Sequence, residues 1–293
     1  MNFTCLLDIR CGLGESPVWD DRRELLFFVD AISPAIHAVR LDGTGLQTWP
    51  MPKPVGSIGL AESGRLIVAL WHDLVLFDPD TGGLTQFAKL ADEPDTNRLN
   101  DGKVGPDGAF WVGTIVLSTP RRPVGSLYRL TGNGQVERKA TGYGVSNGLA
   151  FSPDGGTMFH SDSFSEVLSI DRWTLDPTTG EIAGRTRIAV LDQKTGFPDG
   201  AACDVDGHYW SAGVFGGRLN RFTSTGVLIA SYPVPVPAPT MPCYCGPDLR
   251  TLVLTSLRES SGAIKIAPNP QSGSLFVARA PAAGTPVGRM QGL

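Results

Sequence analysis

The chain alternates short apolar runs with clusters of turn-forming residues. The runs include Leu25-Leu26-Phe27-Phe28-Val29, Leu66-Ile67-Val68-Ala69-Leu70, Ala109-Phe110-Trp111-Val112-Gly113 and Leu252-Val253-Leu254. They are too short for helices and rich in β-branched and aromatic residues, so each predicts a strand. Turn signals separate them: DPDTGG from 78, GPDG from 105, SPDGG from 152, DPTTGE from 176, DVDG from 204 and GPD from 246. Helix-type stretches of Ala, Leu, Glu and Lys are missing. The pattern predicts an all-β fold with tight turns.

The turns recur with a period. Matched on the turn, six segments align: ESPVWDD from 15, IGLAESG from 58, DGKVGPDG from 101, NGLAFSPDG from 147, DGAACDVDG from 199 and MPCYCGPD from 241. Their first residues lie 43, 43, 46, 52 and 42 apart. Six copies of about 45 residues, each supplying around four strands, predict a six-bladed β-propeller around a central channel. The six blades use nearly the whole chain, so residues 1–293 read as one propeller domain. The Pro-rich stretch YPVPVPAPTMP (232–242) falls between the fifth and sixth repeats and reads as an extended connector.

Composition narrows the function. The chain has 293 residues and a formal net charge of −4, with no basic run of the kind that binds nucleic acid. No apolar run approaches a membrane helix. MNFTCLLDIR lacks a basic leader region, which points to a cytoplasmic protein. The five cysteines (Cys5, Cys11, Cys203, Cys243, Cys245) form no C-x-x-C pair and read as buried thiols. The expected partner is a small molecule, and the expected state a monomer or weak oligomer.

Gly144-Val145-Ser146-Asn147-Gly148 fits G-x-S-x-G, the nucleophile elbow of serine hydrolases. An elbow needs a helix after the serine. Here Leu149-Ala150-Phe151 runs into the turn SPDGG, a strand entering a hairpin, and His37, His72, His160 and His208 carry no triad signature. Ser146 is not expected to be a nucleophile.

The repeat register points to a different chemistry. The aligned leading positions are Glu15, Ile58, Asp101, Asn147, Asp199 and Met241. Equivalent positions of successive blades ring the channel, so Glu15, Asp101, Asn147 and Asp199 would converge on one spot. Taken singly, Asp or Asn before Gly is explained by turn chemistry. Four oxygen-bearing side chains in one register would repel one another unless a divalent cation neutralised them. Carboxylate and amide oxygens suit Ca²⁺, Mg²⁺ or Mn²⁺, and Zn²⁺ also accepts them. The hairpin acids Asp107, Asp154, Asp206 and Asp248 are assigned to turns.

LGESPVWD (13–20), NRLNDGKVGPDG (97–108), GVSNGLAFSPDG (144–155), FPDG (197–200) and CGPDLRTLVLTS (245–256) resemble motifs of the senescence-marker/gluconolactonase/regucalcin family. The resemblance implies a six-bladed propeller with one central divalent metal that hydrolyses a sugar lactone. It places the metal on Glu15, Asn147 and Asp199, makes Asp199 the proton acceptor and donor, and places Arg98 and Asn100 against the substrate. Asp101 stands beside them in the substrate-binding set. A phosphotriesterase-like metal hydrolase and a non-catalytic calcium-binding propeller are the alternatives. Three departures are visible: Ser16 replaces the second Gly of L-G-E-G-P, Phe215 replaces Trp in Trp-Gly-Gly, and Ile115-Val116-Leu117-Ser118 lacks the acid that many members carry after Gly-Thr. The missing carboxylate predicts a lactone with fewer or differently placed hydroxyls, such as a pentono- or deoxy-sugar lactone.

Overall fold

A computed structural model describes residues 1–259 and 266–293. Among them no α-helix occurs, and none is therefore long and apolar enough to cross a membrane. The strands form six sheets of four or five strands, arranged as a six-bladed β-propeller. The innermost strands are, in order, Gly14–Asp20, Val55–Ala61, Asn97–Val104, Ser146–Phe151, Phe197–Cys203 and Pro239–Cys245. Each begins at or just before one of the aligned repeat segments, so the period seen in the sequence is the blade.

The apolar runs form strands because both faces of each blade are covered. In Leu66–Leu70, Leu66, Val68 and Leu70 pack toward blade one, while Ile67 and Ala69 pack toward blade three. In Leu25–Asp30, Phe27 and Val29 meet blade two, whereas Leu26 and Phe28 meet blade six. Six hydrophobic clusters fill the six gaps between neighbouring blades. Full burial of alternating faces explains continuous apolar runs in place of an apolar–polar alternation. The outermost strands, such as Leu84–Lys89, face solvent and are mostly polar.

The ring is closed by the chain ends. Thr4–Leu7 supplies the outer strand of blade six by pairing with Leu275–Arg279. The sixth repeat therefore does not provide all four of its strands, which the repeat pattern alone does not reveal. Arg289–Met290 pairs in parallel with Val55–Ala61, and Arg289 bonds Asp20 at 2.7 Å and Asp21 at 2.5 Å. The Pro-rich connector is shorter than expected, because Leu228–Pro233 and Pro239–Cys245 are strands and only 234–238 join them. Cys11, Cys203, Cys243 and Cys245 are buried free thiols as expected, but Cys5 is exposed.

Candidate active site

Every innermost strand carries a register irregularity within its first six residues: at Glu15/Val18, Val55/Ser57, Leu99/Gly102, Asn147/Ala150, Pro198/Ala201 and Pro239/Pro242. A bulge leaves residues unpaired and re-aims their side chains. Six bulges at one level turn Glu15, Asn100, Asn147 and Asp199 toward the axis. There they line the floor of a cavity of about 320 Å³ at one mouth of the channel. Gly148 makes the bend of blade four possible. Its φ is +64°, and a Cβ there would lie 2.3 Å from Tyr209 Oη and 2.4 Å from Ser161 Oγ.

The floor is hydrogen-bonded in a row. Asn100 Nδ2 donates to Asn147 Oδ1 at 2.7 Å and to the Ser146 carbonyl at 3.0 Å. Asn147 Nδ2 donates to Asp199 Oδ1 at 2.7 Å and to Ser163 Oγ at 2.8 Å. Glu15 Oε2 accepts from the Ser16 amide at 3.0 Å. Arg98 Nη1 donates to the Leu99 carbonyl (2.8 Å) and to Asn100 Oδ1 (3.2 Å), which fixes the amide's orientation.

The bulges correct the turn-based alignment in blade two and extend it in blade three, where Asn100 and Asp101 both line the cavity. In blade three the residue bonded to Asn147 is Asn100, one position before Asp101. Asp101 Oδ2 instead accepts from the Leu149 amide at 3.1 Å, and Asp101 Oδ1 is buried without a partner among the described residues. In blade two Gly56, not Ile58, lines the cavity, and Ile58 faces the opposite mouth. Gly56 fits because a Cβ would lie 2.5 Å from the Leu99 carbonyl oxygen. Met241 also lies at the opposite mouth, a cavity of about 240 Å³ covered by 285–288.

Electrostatically the floor is acidic and under tension. Burial, then the charges of Asp199 and Asp101, hold the Glu15 carboxyl well above the usual carboxylate range. Burial and Asp101 do the same to Asp199. Burial also raises Asp101, against the pull of Lys103. Among the described residues no cationic side chain hydrogen-bonds these carboxylates: Lys103 Nζ donates to the Ala201 carbonyl at 2.5 Å, and Arg98 Nη1 to the Leu99 carbonyl and Asn100. Burial lowers Arg98 to about 10, with Glu15 opposing the shift and Arg121 adding to it. Two carboxylates and two amide oxygens at one floor, beside an orphaned Asp101 oxygen, form a donor set that suits a hard divalent cation.

Ser146 is not reachable. It is fully buried, its Oγ lies 2.6 Å from Nε2 of the buried His160, and a Cβ on Gly113 would overlap it. Burial pushes His160 down to about 3, so the pair is a neutral hydrogen bond inside blade four. Strand follows Ser146, with no helix N-terminus to bind an oxyanion.

Asp204, Asp206 and His208 bring three possible ligand atoms within 4.8 Å at a hairpin of blade five. That group is already paired. Arg221 Nη2 reaches Asp204 Oδ2 at 2.6 Å and His208 Nδ1 at 3.0 Å, and Trp210 Nε1 donates to Asp204 at 2.9 Å.

Two of the departures noted in the sequence line this cavity, and the third, Ser16, follows Glu15 and lines the opposite mouth. Ser16 adopts the left-handed conformation expected of the glycine it replaces (φ +48°), and its Oγ accepts from the Ile58 amide at 2.9 Å, tying blade one to blade two. Phe215, with φ +65°, lines the cavity and packs edge-on against Phe197 at 5.4 Å. Leu117 stands on the wall beyond Gly113-Thr114, and Arg121 stands beside it. Sequence reasoning missed Arg121, because it belongs to the irregular segment between two strands of blade three, outside every repeat motif.

A propeller whose axial cavity gathers acids and amides from successive blades defines a class: proteins that hold a small molecule over the channel mouth. The chain belongs to the SMP-30/Gluconolactonase/LRE-like family, whose sequence profile matches residues 13–258. It is 38% identical over 286 residues to the 6-deoxy-6-sulfogluconolactonase of Pseudomonas putida, covering 95% of this chain and 96% of that one. It is 33% identical over 292 residues to the L-arabinolactonase of Azospirillum brasilense, covering 99% and 95%. Among solved structures, a calcium-binding regucalcin from Agrobacterium tumefaciens superposes with a TM-score of 0.87 at 29% identity, covering 97% of this chain and 96% of that one.

Proposed function

We propose that this protein hydrolyses a sugar lactone to the open aldonic acid with one bound divalent cation, and that residues 1–293 act as one unit. The observation that carries the reading is the row Asn100–Asn147–Asp199 beside Glu15 on the cavity floor. Glu15, Asn147 and Asp199 would hold the cation. When bound, it supplies Lewis-acid stabilisation of charge developing on the lactone carbonyl oxygen.

The chain's own groups do the rest. Asp199 accepts a proton from the attacking water and returns it to the leaving ring oxygen. Its neighbours determine whether it is ionised to do so, since burial favours the neutral acid and a nearby positive charge the carboxylate. Arg98 and Asn100 orient the substrate over the floor, trading translational freedom for a reactive geometry. Asp101, with its carboxylate held by Leu149, positions the floor from beneath. The apolar wall of Leu13, Ile115, Val145, Phe197 and Val214 excludes water from the carbonyl.

The relatives are a 6-deoxy-6-sulfogluconolactonase and an L-arabinolactonase, whose deoxy-hexonolactone and pentonolactone substrates support a wall without the hydroxyl-binding carboxylate. Base uptake at constant pH, followed on a panel of pentono- and hexonolactones with organophosphate triesters as controls, tests the reading. Hydrolysis of triesters but of no lactone would refute it.

A further inference from the structure

Above the acidic floor, the charged side chains lining the cavity are two guanidiniums, Arg98 and Arg121. Arg98 is held to the floor through Nη1, which donates to Leu99 and Asn100. Arg121 is held through its Nε at the wall. Its Nε donates to the Val116 carbonyl at 2.7 Å, which pins the side chain against blade three and leaves both Nη groups available among the described residues. The acid whose charge reaches it, Asp162, accepts from the amides of Gly144 (3.0 Å), Val145 (2.9 Å) and Phe164 (2.9 Å) and makes no hydrogen bond to Arg121 among the described residues. Around Arg121 the wall is apolar, formed by Ile115, Leu117 and Val145.

The charges do not cancel over this cavity. Glu15 and Asp199 would balance one divalent cation, and Asp101 has Lys103 beneath it. Arg98 and Arg121 remain against the one charge of Asp162, and the two guanidiniums are close enough for one to lower the pKa of the other, which leaves the cavity net positive. A planar guanidinium with free Nη groups binds a sulfonate or carboxylate through paired hydrogen bonds. Resting on the lactonase reading, we propose that Arg121 is a specificity-determining residue that receives a fixed negative charge at the far end of the substrate. The preferred lactone then carries an anionic group, sulfonate or carboxylate, in place of a terminal hydroxyl.

The test compares three lactones of one sugar configuration, with a terminal hydroxyl, sulfonate or carboxylate, on the metal-loaded wild type, Arg121→Gln and Arg121→Lys. Calorimetric titration of the protein with the sulfonated open-chain aldonate is a second readout, independent of turnover. The wild type should favour an anionic lactone over the neutral one by about 10- to 100-fold in kcat/KM, the range for charge-assisted hydrogen bonds. The preference should lie in KM, vanish in Arg121→Gln and return partly in Arg121→Lys. The stronger of the two anionic arms names the group. A wild type that hydrolyses the neutral lactone as well as either anionic one, or a preference unchanged in Arg121→Gln, overturns the inference and leaves the lactonase reading standing. If no lactone is hydrolysed, the lactonase reading fails. Aldonate binding that disappears in Arg121→Gln would then still support the anion site, and absence of binding would overturn it.

Discussion

The proposed function asks Asp199 to do two things, to bind a cation and to move a proton. Asn147 fixes one of its oxygens, and burial beside Asp101 makes its charge costly without a cation. Replacing Asp199 by Asn keeps the shape and removes the proton acceptor. The expected loss in kcat is about 10²- to 10⁴-fold, the usual worth of a general base, read by base uptake on the best lactone. Asn100 and Asp101 show how a single residue can mislead. In the sequence Asp101 looks like the ring member because it precedes Gly102, as Asn147 and Asp199 precede Gly148 and Gly200. The bulge in blade three brings Asn100 to the cavity beside Asp101 and gives Asn100 the bond to Asn147, and a bulge has no signature in residue type alone. Gly148 is the counterpart case, legible only in part. G-x-S-x-G draws attention to it, but the reason for glycine is the left-handed turn against Tyr209 and Ser161. Gly148→Ala should cost about 2 kcal/mol or more from the backbone conformation and the clash, measured by denaturant unfolding.

At the scale of elements, the strands were the most legible part of the chain. Leu66–Leu70 and Leu25–Asp30 are apolar on both faces because each is gripped by two neighbouring blades, and nothing else in the sequence competes with that pattern. The closing strand was not legible. Thr4–Leu7 is short and half-exposed, and its partner Leu275–Arg279 lies at the other end of the chain. Arg121 was hidden for a related reason: the segment between Phe110–Val116 and Gly125–Leu130 belongs to no repeat, so no register assigned it to the cavity. Two stability predictions follow from packing. Leu254→Ala, in the gap between blades five and six, should cost about 2–5 kcal/mol. Removing residues 1–7 exposes the edge of Leu275–Arg279 and should lower Tm and promote association through the open strand, read by calorimetry and light scattering.

For the whole molecule, the cavity floor couples the cation to stability. In the metal-free chain, burial and neighbouring aspartates (Asp199 and Asp101 for Glu15, Asp101 for Asp199) raise Glu15 and Asp199. The folded state then binds more protons than the unfolded chain above the ordinary carboxylate pKa of about 4. The contribution of these two groups is fully present below that value and is lost as pH rises through the raised folded values. Asp20 and Asp204 behave oppositely. Despite burial, Arg289 and Arg23 hold Asp20 low, and Trp210 and Arg221 hold Asp204 low, so their contribution is present above about pH 4 and lost below it. Between pH 5.5 and 8.5 Asp20 and Asp204 stay ionised, while His160 and His37, kept neutral by burial, add stability as pH rises through about 6.5 with or without metal, so the gain in Tm on adding saturating metal, which binds the deprotonated ligands, should grow with rising pH. The central claim is that the floor is a metal-dependent lactonase site. It is tested most directly by stripping the protein with chelator, assaying lactone hydrolysis, and adding back Ca²⁺, Mg²⁺, Mn²⁺ or Zn²⁺ singly. The account predicts that hydrolysis disappears on stripping and returns with at least one of these ions in wild type but not in Asp199→Asn. Full lactonase activity in the verified metal-free protein would contradict it.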